Sequence, residues 1–206
     1  MEPNWIEWAK RLQAIAQNGL TFAETSFDVE RYAAVRQIAA EMIAAGSNVE
    51  FQRVLDLLSD DVGYATPKVD VRAVIFRDDA LLLVKERDEG RWTLPGGWAD
   101  VGESPRENVV REVAEESGYQ VRATKLLAVY DRSLHAHEPP FPFHVYKLFF
   151  QCEIVGGAAE TRFETSAVAF FRADSLPPLS LTRVTPAQID RMFEHRRHPD
   201  WPADFD

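Results

Sequence analysis

The chain has 206 residues, 46% of them hydrophobic and 27% charged, and these proportions exclude an intrinsically disordered protein. Its net charge is −10, and the acid is spread evenly, because residues 1–66 carry 5 basic and 10 acidic side chains and residues 67–206 carry 18 and 23. Non-specific nucleic-acid binding needs clustered Lys and Arg, so this distribution argues against a nucleic-acid partner.

Cysteine usage and the N-terminal residues predict a cytoplasmic protein. Cys152 is the single cysteine, so no internal disulfide can form, which suits a reducing compartment. We expect its side chain to be a small buried hydrophobe. The first residues lack the basic and apolar segments of a secretory signal, and the alanine-rich stretch 38–45 is too short to span a membrane. No membrane partner is expected.

The N-terminal part of the chain has the apolar spacing of three short helices. In the first, apolar residues recur at spacings of three and four over residues 5–16, and Asn18-Gly19 is expected to end the run. A second helix is expected from residue 26 or 28 to Gly46, and a third around residues 49–58. Three such helices make only a marginal core, so they should pack on another surface of the same chain or of a symmetry mate.

The apolar pattern changes from helical to alternating at Pro67, which places a domain boundary between residues 66 and 67. We therefore predict a helical N-terminal domain at 1–66 that helps to form a homodimer and completes the substrate pocket. After the boundary, strands and helices mix. Strands are predicted at 69–76, 80–86, 125–132, 145–153 and 167–171, a turn at 77–79 and a final helix at 186–195.

A helix with clear end signals lies in the middle of this second part. Ser104-Pro105-Arg106-Glu107 is a capping box with proline at the first helical position. Gly118 is placed to end the helix in a left-handed conformation. Between these ends, Val109, Val110, Val113 and Ala114 form an apolar side for the core.

Three carboxylates share one face of this helix. Glu112, Glu115 and Glu116 are spaced i, i+3, i+4, so they lie within one turn, where like charges repel. A hard divalent cation is the economical explanation, since clustered carboxylate oxygens are its natural ligands. A solvated acidic helix face is the alternative.

The residues before the helix favour the metal site. Gly96-Gly97 lets the backbone approach a ligand closely, and a free carbonyl there could add a metal oxygen. Glu103, in the loop before the helix, could pair with Arg111 and hold the loop against the helix. Such a pair would fix the ligand geometry.

Together these residues give Gly97, five residues, Glu103, seven residues, and then Arg111-Glu112-Val113-Ala114-Glu115-Glu116-Ser117-Gly118-Tyr119. This pattern resembles the Nudix box, with every acidic, basic and glycine position matched. Tyr119 departs from the pattern, which prefers an aliphatic residue at this structural position.

The resemblance implies an α/β fold: a Nudix α/β/α sandwich with a mixed sheet, here preceded by the small all-α N-terminal domain. It implies that residues 67–206 hydrolyse a diphosphate that joins a nucleoside to another group. The glutamates that match Glu112, Glu115 and Glu116 bind magnesium or manganese in this family, often with the glycine carbonyl that matches Gly96. The cofactor expected is therefore Mg²⁺ or Mn²⁺, which would neutralise charge on the phosphate oxygens and lower the pKa of the attacking water.

Further segments are similar to one bacterial Nudix subfamily with a helical N-terminal domain: residues 66–72, 92–103, 144–147 and 176–180. Members of this subfamily are called ADP-ribose or CDP-choline pyrophosphatases, and UDP-linked substrates also occur. The resemblance implies products of the type nucleoside monophosphate and phospho-X. Two alternatives stay open, a Nudix-type ligand sensor whose helical part binds DNA and a nucleoside triphosphate pyrophosphatase.

Several candidates for substrate contact lie outside the box. Arg72 could hold a phosphate by two hydrogen bonds, or form a surface pair with Asp70. Trp98 could stack on a base or a sugar, or be buried in its loop. Lys85 could bind a phosphate, or be a solvated lysine. The histidine- and proline-rich stretch 135–144 is expected to be a stiff loop at the mouth of the pocket, from which His137 or His144 could reach the substrate.

The general base is not fixed by the motif. The resemblance implies a glutamate on a loop late in the domain, and Glu164 matches by position. Relatives commonly carry a second acid three residues later, where this chain has Ala167. Glu115 or Glu116 is therefore the alternative base.

Overall fold

The computed structural model describes residues 4–47, 49–161 and 163–206, and the chain forms two compact units. One unit runs to Pro67 and includes Pro140–His144, and the other contains Lys68–Pro139 and Val145–Asp206. The sequence pattern changes at the same place in the chain. It gives no sign, however, that the short segment 140–144 groups with the N-terminal helices.

In the residues that the structure describes, the first unit contains three helices, α1 (Asn4–Phe22), α2 (Ser26–Ala45) and α3 (Phe51–Ser59). Thr25 caps α2 by accepting a hydrogen bond from the backbone N–H of Asp28, and Gly46 follows its last residue, as predicted. The core of this unit is apolar and comprises Ile6, Ala9, Ala40, Ile43, Val54 and Leu58. Within the described residues, no helix has the length and hydrophobicity that a membrane span requires.

The predicted end of the first helix at Asn18-Gly19 is wrong, because α1 continues to Phe22. A Cβ atom built on Gly19 would overlap the ring of Tyr32 in α2. This glycine therefore serves the close packing of α1 against α2 rather than the termination of a helix. Local spacing in the sequence does not reveal such a contact, since the two residues belong to different helices.

Within its described residues, the second unit has eight strands, two α-helices and two short 3₁₀ helices. The strands are β1 (Lys68–Val74), β2 (Phe76–Arg77), β3 (Ala80–Glu86), β4 (Trp92–Thr93), β5 (Tyr119–Asp131), β6 (Val145–Gly157), β7 (Thr165–Arg172) and β8 (Asp204–Phe205). The helices are α4 (Pro105–Ser117) and α5 (Pro186–Arg197). One sheet has the order β1-β6-β5-β8, and in the other β3 pairs with β2, β4 and β7. Strand β6 is parallel to β1 and antiparallel to β5, so the first sheet is mixed, as predicted.

Each helix of the second unit covers its own hydrophobic core. Helix α4 contributes Val109 and Val113 to a cluster that includes Val71 and Ile75. Helix α5 contributes Ile189, Met192 and Phe193 to a second cluster of buried residues, among them Leu81, Leu83, Leu127 and Phe149. Strand residues thus supply apolar side chains to both cores, as expected of an α/β fold with helices on its faces.

The ends of α4 follow the sequence signals. Ser104 and Glu107 form the capping box, Pro105 occupies the first turn, and Gly118 ends the helix with φ 75°. Strands β5 and β6 are longer than predicted, since β5 begins at Tyr119 and β6 ends at Gly157. Residues 119–124 alternate between buried apolar and exposed polar positions, a strand pattern that the prediction overlooked. Strands β4 and β8 were not predicted, since two residues are too few to show a period.

Replacing Gly19 by Ala tests the packing of α1 on α2. Helix propensity alone would favour alanine by about 1 kcal/mol. The overlap with Tyr32 should instead lower the free energy of unfolding by about 1–3 kcal/mol. Urea unfolding followed by circular dichroism measures it, and in a Tyr32→Ala background the same substitution should become neutral or stabilising. If Gly19→Ala did not lower the stability of the protein that retains Tyr32, this role would be contradicted.

Candidate active site

The Gly96-Gly97 loop is fixed to strand β1 by backbone hydrogen bonds. The N–H of Ala73 donates to the carbonyl of Pro95 and that of Val71 to the carbonyl of Gly97, each at 2.8 Å. Gly96 lies between them with φ 136°, and a Cβ atom there would overlap the carbonyl of Val71. Only glycine fits this position.

Glu116 joins the box helix to this loop. Its carboxylate is buried, with 5% of the residue exposed, and accepts a hydrogen bond of 2.8 Å from the backbone N–H of Gly96. Burial raises the pKa of Glu116 to about 8, even though the charge of Arg72 and the Gly96 N–H act in the opposite direction. Glu112 also faces the loop, because a Cβ atom on Gly97 would lie 3.0 Å from its Oε2.

Arg111 holds the acidic residues of the site in one network. Its Nε donates to Glu103 at 3.0 Å, as the sequence predicts, and its Nη1 donates to both Glu112 and Glu115 at 2.9 Å. Its Nη2 donates to Asp100 at 2.7 Å and to Asn108 at 3.0 Å. The guanidinium therefore bridges the loop before α4 and the acidic face of α4.

These groups line a cavity of about 670 Å³, a size typical of small-ligand sites. Eight of the residues that the sequence singles out lie on its wall: Gly96, Gly97, Trp98, Arg111, Glu112, Glu115, Glu116 and Glu164. Trp98 is not buried in its loop, since 48% of it is exposed on the cavity wall. Glu103 does not line the cavity and contacts the site through its hydrogen bond with Arg111.

The residues of the cavity fit a divalent cation by their donor chemistry. Burial raises the pKa of both Glu112 and Glu116, so these carboxylates lie where an unpaired negative charge is unfavourable and a hard cation would stabilise it. In the described part of the chain, no three His, Cys, Asp or Glu side chains are gathered closely enough to hold an ion. Arg111 bridges Glu112 and Glu115 instead, so binding a cation requires these two carboxylates to turn toward it.

The structure corrects the expectations for Arg72. Only 2% of the residue is exposed, so it does not form a surface pair, and its Nε and Nη2 are bound by the two oxygens of Asp70 at 2.9 and 2.6 Å. The fork that was expected to hold a phosphate is therefore occupied. Burial alone would raise the pKa of Asp70, but the charges of Arg72 and Lys147 lower it to about 2. The cluster supports the loop, because Arg72 Nη1 donates to the carbonyl of Leu94 at 3.2 Å.

Three other predicted substrate contacts are not found in the cavity. Lys85 is half-buried in β3 and does not line the cavity wall. His137 is buried, with Nδ1 3.0 Å from the carbonyl oxygen of Leu181, so its expected access to a ligand is wrong for this structure. His144 is exposed and belongs to the segment that groups with the N-terminal helices, and its contact with substrate stays a prediction.

Sequence reasoning missed three residues of the cavity wall, Asp100, Phe163 and Arg183. It also missed Glu86, a buried carboxylate whose Oε2 lies 3.1 Å from Nη2 of Arg183. No local signal marks Arg183, since it follows a loop and precedes α5 without belonging to any motif. Its position depends on contacts between segments far apart in the chain.

The mixed sheet with helices on its faces defines an α/β protein with an acidic cavity beside a glycine loop, and comparison with known proteins makes the assignment specific. Residues 66–192 match the NUDIX domain, and residues 3–58 match the UDP-X-like, N-terminal oligomerisation domain. YjhB of Bacillus subtilis (strain 168), a candidate ADP-ribose pyrophosphatase, is 46% identical over 206 residues, which cover 100% of this chain and 99% of YjhB.

Two solved structures extend the similarity to the fold. A UDP-X diphosphatase is 33% identical with a TM-score of 0.64, and the match covers 98% of both chains. An ADP-ribose pyrophosphatase from Streptococcus suis 89-1591 is 42% identical with a TM-score of 0.63, over 68% of this chain and 100% of the other. The protein therefore belongs to the Nudix hydrolase family and is an enzyme of that family.

Proposed function

We propose that the protein hydrolyses the pyrophosphate bond of a nucleoside diphosphate linked to a further group X, with a divalent cation as cofactor. The products are a nucleoside monophosphate and phospho-X, and the substrates are of the ADP-ribose, CDP-choline or UDP-sugar type. The observation that carries this proposal is the convergence of the acidic face of α4 on Gly96-Gly97 inside one cavity. The names of the relatives, ADP-ribose pyrophosphatase and UDP-X diphosphatase, support it.

In this proposal Glu112, Glu115 and Glu116, with the carbonyl of Gly96, hold Mg²⁺ or Mn²⁺. When bound, the cation supplies charge neutralisation at the diphosphate and an acidified water. Glu116 has a second task, since its bond to the Gly96 N–H fixes the distance between helix and loop. Trp98, half exposed on the cavity wall, stacks on the base or the sugar.

Glu164 is the group that we propose as general base, which takes the proton of the attacking water. It is exposed, lines the cavity and lies in the loop directly before strand β7. The backbone of this loop is held by Arg87, whose N–H donates to Glu164 O at 3.0 Å, Nε to Phe163 O at 3.0 Å and Nη2 to Thr165 O at 2.8 Å. These contacts hold the backbone that carries the Glu164 carboxylate at the cavity wall.

Glu116→Gln tests the role of the box carboxylates. The amide oxygen of Gln can still accept the Gly96 hydrogen bond, so the fold should survive while the negative charge is lost. We expect turnover of an NDP-X substrate at saturating magnesium to fall roughly 10²- to 10⁴-fold. Glu107→Gln is the matched control, because it lies on the same helix outside the cavity and keeps a capping box. Near-normal turnover of Glu116→Gln would remove the metal assignment.

We also propose that the N-terminal helices form a homodimer. Trp8, Ile15 and Phe22 are 54%, 56% and 67% exposed and lie seven residues apart, so they form one apolar stripe along α1. A second copy of this chain is the partner proposed for this stripe, because residues 3–58 match an oligomerisation domain and two-fold pairs are the commonest soluble assemblies.

Ile15→Glu, at the centre of this stripe, should convert the dimer to a monomer. Size-exclusion chromatography with light scattering measures the mass of the full chain at several concentrations. Thr21→Glu is the control, since Thr21 is exposed on α1 but outside the stripe. A wild-type chain that is monomeric at micromolar concentration, or an Ile15→Glu chain with unchanged mass, would refute the interface.

A further inference from the structure

The cavity has an unbalanced charge for a site that receives a diphosphate. Its described wall carries five carboxylates, Asp100, Glu112, Glu115, Glu116 and Glu164, and two cations, Arg111 and Arg183. A diphosphate needs positive groups besides any cation held by the glutamates, because its own charge would otherwise be repelled. The distribution of hydrogen bonds on the two arginines therefore decides which of them is available for a phosphate.

Arg111 is fully committed to the protein. A guanidinium has five N–H donors, and those of Arg111 are directed at five acceptor groups: Glu103, Glu112, Glu115, Asp100 and Asn108. Contact with a phosphate would require Arg111 to release the carboxylates that it positions. Arg111 is thus an organiser of the acidic face rather than a substrate ligand.

Arg183 is in the opposite situation. Its Nη2 lies 3.1 Å from the buried carboxylate of Glu86, and 35% of its side chain remains exposed at the cavity wall. Its Nε is buried and has no hydrogen-bond partner within the described residues. Because Glu86 holds Nη2 and Nε is buried, the remaining terminal N–H groups of the guanidinium are the donors that an anion in the cavity can reach.

The segment that carries Arg183 is fixed before any ligand arrives. Ser180 exchanges backbone hydrogen bonds with its neighbours, donating to Trp92 O at 2.8 Å and accepting from Arg183 N–H at 3.0 Å. The hydroxyls of Ser180 and Thr182 both donate to the carboxylate of Glu89, at 2.5 and 2.9 Å. A preorganised arginine loses little conformational entropy on binding, which favours affinity.

We propose that Arg183 is the protein's ligand for the diphosphate of the substrate, and that Glu86 is the positioning residue that aims its guanidinium. This assignment rests on the proposed hydrolysis of NDP-X compounds. The sequence suggested Arg72 or Lys85 for the phosphate contact. This contact is assigned instead to Arg183, which lines the cavity. The bidentate geometry of a guanidinium matches two phosphate oxygens, which a lysine ammonium cannot reproduce.

The test measures ligand binding and turnover in the full chain. Calorimetry gives the dissociation constant of ADP in the presence of magnesium chloride, and steady-state kinetics with ADP-ribose gives KM and kcat. Arg183→Ala should raise both the dissociation constant and KM about 10- to 100-fold, the loss expected for a charge-assisted hydrogen-bonded pair. Arg183→Lys should lie between Arg183→Ala and wild type, because it keeps the charge and loses the fork.

Two further variants separate the proposal from a structural effect. Arg122→Ala is the matched control, since Arg122 pairs with Glu153 at 2.7 Å away from the cavity and should leave both constants unchanged. Glu86→Gln should weaken ADP binding less than Arg183→Ala does. The double variant should bind no more weakly than Arg183→Ala alone, because Glu86 acts through Arg183.

The outcomes distinguish this inference from the function on which it rests. Arg183→Ala with wild-type affinity for ADP and wild-type KM would overturn the inference. Additive effects of Glu86→Gln and Arg183→Ala on ADP binding would overturn the positioning role of Glu86. A wild-type protein that binds ADP through Arg183 but does not cleave ADP-ribose, CDP-choline or a UDP-sugar would instead overturn the proposed substrate class and leave the anion site standing.

Discussion

The hydrogen bond from the Gly96 N–H to the buried carboxylate of Glu116 joins the two parts of the active site, the glycine loop and the box helix. Burying a carboxylate is unfavourable unless hydrogen bonds and opposite charges compensate it. Here the backbone N–H and the nearby charge of Arg72 compensate it only in part, since burial still raises the pKa of Glu116 to about 8. If the loop moved away from α4, Glu116 would lose its donor, so the position of the loop and the state of this carboxylate are coupled.

A buried ionic cluster stabilises the loop that makes this hydrogen bond. Lys147 Nζ lies 2.5 Å from Asp70 Oδ1, Asp70 binds Arg72 through both oxygens, and Arg72 donates to the carbonyl of Leu94 just before the loop. Breaking such a cluster by removing one partner costs about 3–5 kcal/mol, because the remaining charge is left buried without a partner. The charged residues of strands β1 and β6 in this cluster therefore lie in the interior. They fix the loop there and do not line the cavity.

Local rules in the sequence predicted the parts of the site that lie within one element. The capping box, Gly118 at the end of α4, the shared face of Glu112, Glu115 and Glu116, and the pairing of Arg111 with Glu103 all depend on residues close along the chain. The mixed sheet followed from the family resemblance. Where a residue's role depends on distant segments, the sequence misled or was silent.

Gly19, Arg72 and Arg183 illustrate why. Gly19 looked like a helix end because its aromatic neighbour, Tyr32, belongs to another helix. Arg72 looked available to a phosphate because alternation in a strand does not tell which face is buried, nor that Lys147 of β6 completes an ionic cluster there. Arg183 could not be found, since its partner Glu86 is 97 residues away and its segment has no periodic pattern.

The central claim is that this site cleaves the diphosphate bridge of an NDP-X compound. The most direct measurement is product identification by ³¹P NMR and mass spectrometry, with wild-type enzyme, magnesium chloride and either ADP-ribose, CDP-choline or a UDP-sugar. At least one of these should give equal amounts of nucleoside monophosphate and phospho-X as the first products. Free orthophosphate or free nucleoside as the first product, or cleavage of nucleoside triphosphates while every NDP-X compound stays intact, would contradict the account.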